Sequence, residues 1–102
     1  MTPTIVYIEQ APAERKITRL AFLDRFTDAE AIAIDLASIG ATVQAATMRR
    51  HMQKVNAATF IDLAREDTRA GVLALEAGGL LAEGRALEIL DAPVSDIERF
   101  KR

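Results

Sequence analysis

Apolar residues recur at intervals of three and four along most of the chain, which is the period of an α-helix. The first such segment runs from Glu14 to Arg25, where Ile17, Leu20 and Ala21 share one face. Apolar neighbours widen that face. The pattern predicts a short helix over residues 14–25 that packs into a core.

A second helix is predicted to begin at Thr27, because the stretch Thr27-Asp28-Ala29-Glu30 has the form of a capping box. In this motif the Thr hydroxyl accepts a hydrogen bond from the Glu N–H, and the Glu carboxylate accepts one from the Thr N–H. Gly40 is a typical helix stop. A helix that is apolar on most sides is buried on most sides, so we expect a central helix, or one that also contacts another chain. Its apolar residues are Ile32, Leu36 and Ile39 on one stripe and Ile34 on a different face.

A third helix is predicted from about Thr42 to Ala57. One of its faces is apolar and the opposite face is polar and basic. The predicted buried stripe consists of Ala45, Met48, Met52 and Val55. The polar face consists of Arg49, Arg50, Gln53 and Lys54.

The second half of the chain continues the helical pattern. Residues 59–63 are interpreted as a further turn of helix. Asp67-Thr68 is a candidate N-cap for a helix that ends at Gly78-Gly79. A last helix is predicted from Leu81 to Leu90, with Ala86, Leu87 and Leu90 facing inward and Pro93 as its stop. The stretch 95–98 has the form of a second capping box.

Residues 1–13 have a different pattern. Thr4-Ile5-Val6-Tyr7-Ile8 favours an extended conformation, and Pro3 and Pro12 prevent a helix at either end. Because a lone strand is not stable by itself, two interpretations stay open. The segment is a floppy arm, or it is a docking arm that adds a strand to another subunit. In the second case the candidate partner-binding residues are Ile5, Val6, Tyr7 and Ile8.

These elements predict an all-α fold, namely a small bundle of four to five helices with an extended N-terminal arm. The arm is residues 1–13 and the helical domain is residues 14–102. A length of 102 residues suits one domain. With half of its residues hydrophobic, the chain is not expected to be disordered as a whole.

Composition narrows the possible functions. A net charge of −2 gives no overall attraction to nucleic acid or to an anionic membrane. The absence of cysteine excludes disulfides, thiolate zinc sites and cysteine nucleophiles. No secretion signal is visible, and no apolar run approaches the roughly 18 residues of a membrane span. We therefore expect synthesis in the cytoplasm.

The candidate chemistry is sparse. His51 is the only histidine, and no carboxylate lies three or four positions from it to complete a metal site. Pairs of carboxylates fall at predicted caps and loops, and there is no nucleophile elbow and no phosphate-binding loop. The sequence therefore predicts no enzyme, no metal and no cofactor.

Nucleic-acid binding is the alternative that the sequence leaves open. The basic run 48–54 suits phosphate contacts, but it also suits the solvent face of an amphipathic helix. Residues 72–90 have the outline of a helix-turn-helix. Its second helix carries Glu83, Glu88 and Asp91 against Arg85, and these acids would be repelled by the DNA groove.

Residues 16–94 resemble a family of small proteins of tailed bacteriophages and prophages, which are usually encoded among the tail or tail-fibre genes. The resemblance is in pattern and rests on no catalytic motif. It leaves the N-terminal arm outside. The stretches that carry it are Lys16–Glu30, Thr59–Leu63, Asp67–Val72, Gly79–Ala86 and Glu88–Val94.

This resemblance implies a non-enzymatic virion protein, made in the host cytoplasm and placed in the tail tip or fibre attachment. Its expected partners are other tail or fibre proteins, and further copies of itself in a symmetric oligomer. A tail-fibre assembly chaperone is the first alternative, and a small DNA-binding regulator is the second.

Overall fold

The computed structural model describes residues 15–101, which form five helices and one two-stranded sheet. Helix predominates, which confirms the predicted all-α class. The predicted arm, with Ile5, Val6, Tyr7 and Ile8, lies outside the described residues. The helices are α1 (Arg19–Asp24), α2 (Asp28–Ala37), α3 (Val43–Ala57), α4 (Glu66–Ala77) and α5 (Arg85–Asp91). The strands are β1 (Lys16–Ile17) and β2 (Ile61–Asp62).

The small sheet replaces helix in two places where helix was predicted. β1 pairs antiparallel with β2, and Ile17 lies opposite Ile61. The predictions of a helix start at residue 14 and of a helical turn over 59–63 are therefore wrong. Both isoleucines are buried, and β-branched side chains pack well across a strand pair. This tertiary pairing outweighs the helical spacing.

β1 also bonds to the C-terminal segment on its other side. The Thr18 N–H donates to the Glu98 carbonyl at 3.0 Å, and the Phe100 N–H donates to the Lys16 carbonyl at 2.9 Å. The Thr18 hydroxyl then accepts a hydrogen bond from the N–H of Ala21 at 3.0 Å. This N-cap is the local reason why α1 begins at residue 19.

The hydrophobic core lies where the small sheet, α1, α4 and α5 meet. α4 and α5 pack against each other more extensively than any other pair of elements. Phe22 and Phe26 add an edge-to-face contact with ring centroids 5.4 Å apart. The buried core residues are Ile17, Phe22, Ile61, Leu63, Val72, Leu81, Ala86, Ile89, Leu90 and Val94.

The last helix is shorter than predicted. α5 begins at Arg85 because Gly84, with φ +85°, makes a left-handed turn before it. Leu81 is buried in the loop before α5 rather than in the helix. Leu87 was predicted to face inward, but it is 49 % exposed, and the inward position belongs to Ile89.

The ends of α4 differ in how well the sequence predicted them. The stop at Gly78-Gly79 is confirmed. The predicted cap at Asp67-Thr68 is wrong, since α4 already begins at Glu66 and has no side-chain cap. Glu66 and Asp67 instead place negative charge in the first turn, where it stabilises the helix dipole.

Arg25 joins α1 to the end of α5 and to the C-terminal turn. Its side chain is only 7 % exposed. It donates to both carboxylate oxygens of Glu98, at 2.8 and 3.0 Å, and to the Ile89 carbonyl at 2.7 Å. The Ser95 N–H donates to the same carboxylate at 2.9 Å, which is one half of the second predicted capping box. Burial raises the pKa of Glu98, but these hydrogen bonds outweigh it and hold the pKa below its ordinary value.

α2 and α3 form a helical pair at the side of the core. On α3 the predicted stripe is confirmed, since Ala45 is buried and Met48, Met52 and Val55 are half-buried. α2 packs chiefly against α3 and contains no buried residue. The expectation of a central α2 is therefore wrong, because the small sheet and the other helices close the core without it.

Candidate protein-binding surface

Four large aliphatic side chains are exposed along the outer face of α2, the turn that follows it and the first residue of α3. They follow one another at spacings of four, three and four residues. We call this set the α2 surface. It consists of Ile32, Leu36, Ile39 and Val43, whose exposed fractions are 59, 65, 72 and 77 %.

Polar contacts fix the N-terminal end of α2. The predicted capping box is present, with the Glu30 N–H donating to the Thr27 hydroxyl at 3.1 Å and the Thr27 N–H donating to the Glu30 carboxylate at 2.8 Å. Arg85 of α5 bonds the same carboxylate at 2.8 Å. The hydrogen bond from Arg85 is the main reason that the pKa of Glu30 lies below its ordinary value.

A single arginine fixes the other end. Arg49 of α3 donates to the carbonyls of Ser38 and Gly40, at 2.7 Å each. These carbonyls follow the C-terminus of α2, where a positive charge is favourable. α2 is thus fastened at both ends by charged hydrogen bonds, while its outer face stays in water.

The exposure of this face is energetically unusual for a helix of this length. Isolated helices shorter than about 12–15 residues are marginal in water, and most helices gain their stability by packing an apolar face. Full burial of a Val, Leu or Ile side chain contributes about 1.5–3 kcal/mol. More than half of each of the four side chains remains exposed, so covering the α2 surface would contribute several further kcal/mol.

The α2 surface has a definite shape and charge. A shallow depression runs along it, lined by Ile32, Leu36 and Ile39 together with Asp35 and Ser38. α2 contains no Lys or Arg. Within residues 15–101, Asp28 and Asp35 form no ion pair. The surface is therefore a shallow, mostly apolar groove with one carboxylate, that of Asp35, in its lining, and an exposed apolar patch of this kind suits contact with another protein.

A smaller apolar site lies on α1. Leu20 is 68 % exposed and Ile97, in the C-terminal turn, is 91 % exposed. The two line a second depression together with Thr18, Ala21 and Asp24. Two side chains from separate segments make a smaller apolar area than the α2 surface, which we therefore regard as the principal site.

The histidine and the basic run predicted from the sequence do not form one charged site. His51 is exposed and lies beside α4, with its Nδ1 3.9 Å from the point where a Cβ on Gly71 would stand. Arg49 is hydrogen-bonded to the carbonyls of Ser38 and Gly40 after the end of α2. Arg50 and Lys54 are exposed on α3.

The contacts of Arg85 argue against the helix-turn-helix alternative. Arg85 is the only basic residue of α5, and its guanidinium bonds Glu30 and the Arg25 carbonyl. It also lies 3.4 Å from the carboxylate of Glu88. The arginine that a recognition helix would use to contact a base is thus held against the protein itself.

Other kinds of site are not seen in the part of the chain that the structure describes. Over residues 15–101 no three His, Asp or Glu side chains are grouped to hold a metal ion. No helix in this range has the length and the apolar character to cross a membrane.

No protein-family model matches the chain, and no similar curated protein or solved structure is found.

Sequence reasoning found three members of the α2 surface but missed Val43. It also left open whether the apolar face of α2 met the core or another chain. The signal for Val43 was present, since it continues the spacing of Ile32, Leu36 and Ile39 by four residues. It was hidden because the set does not lie on one helix: α2 ends at Ala37, Ile39 lies in the turn, and Val43 begins α3.

Proposed function

We propose that this protein is a non-enzymatic structural adaptor that binds other proteins in the tail tip or fibre attachment of a tailed bacteriophage. The observation that carries the proposal is the α2 surface. α2, which is fastened at its ends by Arg85 and Arg49, presents four large aliphatic side chains to solvent together with the turn that follows it and the start of α3. Such a face suits a contact with protein, where apolar area is covered.

The resemblance of residues 16–94 to small phage tail-region proteins supplies the setting. The four residues of the α2 surface lie between the stretches that carry this resemblance, so the resemblance supports the setting and the structure alone supports the surface. The arm with Ile5, Val6, Tyr7 and Ile8 falls outside them. It stays the predicted site for adding a strand to a particular tail or fibre protein.

The first test is mass spectrometry of purified phage particles from the strain that carries this sequence. We expect the chain at a fixed integer ratio to a tail protein. Leu36→Asp should lower its incorporation, because a charge is placed in the apolar groove. Leu87→Asp is the matched control, since Leu87 is an exposed leucine on α5 outside the groove, and it should incorporate normally.

Two results would contradict the adaptor. Absence from finished particles, with the chain abundant in infected cells, would indicate the assembly chaperone instead. Binding to DNA that weakens steeply with salt and is lost in Arg50→Ala together with Lys54→Ala would indicate the regulator.

A further inference from the structure

We propose that the α4–α5 loop, residues 78–84, is a hinged flap that the Glu76 carboxylate of α4 holds closed. The flap turns at Gly79 and Gly84 and opens as a local unit while the rest of the fold stays intact. This conformational device goes beyond the proposed function and does not depend on it.

Glu76 makes the contact that α5 itself lacks. The N-cap of α5 is Gly84, which has no side chain to accept a hydrogen bond from the first turn. The two oxygens of the Glu76 carboxylate instead accept the N–H groups of Gly84 and Ala86, each at 2.9 Å. The second of these is an N–H that an N-cap side chain ordinarily bonds. One carboxylate of α4 thus fixes both the end of the loop and the start of α5.

Few other contacts hold the loop. Leu81 is its one buried side chain, and it belongs to the hydrophobic core. The two residues that follow it are exposed. Among residues 15–101, the only hydrogen bond of the stretch 81–83 runs from the Arg85 N–H to the Ala82 carbonyl, at 3.0 Å. Segments with so few contacts open at a smaller free energy than the core does.

The backbone at the two ends of the flap suits a hinge. Gly79 has a φ of +84° and Gly84 a φ of +85°, and nothing lies within 4 Å of the point where a Cβ of either would stand. Glycine adopts left-handed and right-handed conformations about equally well, and a hinge absorbs its dihedral change at a few such residues. Opening about these two glycines withdraws Leu81 from the core.

The first experiment is amide hydrogen exchange of the full chain at a series of low urea concentrations, followed by NMR. Leu80 and Arg85 are the reporters, because their N–H groups bond the carbonyls of Leu75 and Ala82 and not Glu76. We expect both to exchange faster than the core amides of α4. Their exchange should also depend little on urea, because a local opening exposes little surface.

The variant Glu76→Gln tests what holds the flap. It keeps the size of the side chain but replaces one accepting oxygen with an NH2 group, which cannot accept. We expect the two reporter amides to exchange about 5-fold faster or more, which is the effect of losing a typical N-cap contact. Glu83→Gln is the matched control and should exchange like the wild type. Glu83 is exposed in the same loop and forms no ion pair within residues 15–101.

A second experiment follows the buried leucine directly. The chain has no cysteine, so Leu81→Cys carries a single thiol that a labelling reagent reaches when the flap is open. Its labelling should depend little on urea and should be faster when Glu76→Gln is added. Ile89→Cys is the control, since Ile89 is a core residue of α5 with 1 % exposure. Its labelling should show the full urea dependence of global unfolding.

Three outcomes would overturn the inference. The first is exchange of Leu80 and Arg85 with the urea dependence of global unfolding. The second is exchange in Glu76→Gln that is unchanged, or equalled by Glu83→Gln. The third is labelling of Leu81→Cys with the same urea dependence as Ile89→Cys. None of these measurements involves phage particles, so the flap and the adaptor fail or stand separately.

Discussion

At the scale of single residues, Arg25 shows how a charge can be held inside this small fold. It donates five hydrogen bonds, which go to Glu98 and to the carbonyls of Ile89, Ala92 and Pro93. The carbonyls lie at and beyond the C-terminal end of α5, where a positive charge interacts favourably with the helix dipole. Its fork-shaped guanidinium can bond both oxygens of a carboxylate. One side chain thereby joins the first helix, the last helix and the C-terminal turn.

Replacing this arginine should therefore be costly. Arg25→Met should lower the free energy of unfolding by about 3 kcal/mol or more, because it leaves the half-buried Glu98 without its charge partner. Urea denaturation followed by circular dichroism measures the change. Arg65→Met is the control, since the ion pair of Arg65 with Asp67 is solvent-exposed and should contribute less than about 1 kcal/mol. Equal losses of unfolding free energy in the two variants would contradict the prediction that the buried ion pair of Arg25 contributes more than the exposed one of Arg65.

At the scale of the elements, two glycines have opposite roles. Gly71 lies within α4, and a Cβ placed there would meet only the His51 Nδ1, at 3.9 Å. Gly84 lies before α5 with φ +85°, where a side chain is strained although there is space for it. Gly71 therefore lowers the stability of α4 without making a contact that compensates, whereas Gly84 allows the turn before α5.

These roles predict changes of opposite sign. Gly71→Ala should raise the free energy of unfolding by about 0.5–1 kcal/mol, because alanine favours the helix and restricts the unfolded chain. Gly84→Ala should lower it by about 1–2 kcal/mol through left-handed strain. Thermal unfolding of the two variants beside the wild type is the measurement. A Gly71→Ala variant that unfolds at a lower temperature would mean that α3 and α4 lie closer than the structure has them.

The elements also show what the sequence could predict. The capping box at Thr27 and the faces of α3 were predicted because their signals are local. β1 and β2 were not predicted, since strands of two residues have no period to detect and their pairing joins Ile17 to Ile61. The start of α5 was predicted at Leu81 because the helical spacing of apolar residues continues across Gly84, although the backbone makes a left-handed turn there.

The same limit applies to the candidate site. The sequence indicated that α2 had more apolar surface than one contact requires. Which of its faces would stay uncovered depended on how the other helices closed the core around Ile17 and Leu90, and this is a property of the tertiary structure. The α2 surface could thus be suspected from the pattern around Leu36 but located only in the fold.

At the scale of the whole molecule, two carboxylates that are paired with arginines link stability to pH. The pKa values of Glu30 and Glu98 are both held below the ordinary 4.5, by bonds to Arg85 and Arg25 respectively. Both carboxylates bridge elements that are distant in the chain. Their protonation would loosen α2 from α5, and α1 from the C-terminal turn.

We therefore expect the fold to weaken in acid. As pH falls below the ordinary value of 4.5, the unfolded chain takes up protons at these positions before the folded chain does. Proton uptake therefore favours the unfolded state. The stabilisation that the two ionised carboxylates give to the folded state is fully present above their ordinary pKa and is lost as pH falls through their lower pKa values in the folded chain. Urea denaturation at a series of pH values measures the slope. The variant Glu98→Gln should show a shallower slope, and an unchanged slope would contradict the assignment.

The position of β1 between β2 and the C-terminal segment has a consequence for the order in which the protein can form. The bonds from Phe100 to Lys16 and from Thr18 to Glu98 join residues separated by nearly the whole described chain. On a ribosome, α1 to α5 can begin to assemble as they emerge. The middle strand, however, stays open on one edge until the codons for residues 98–100 have been translated and that last stretch has left the exit tunnel.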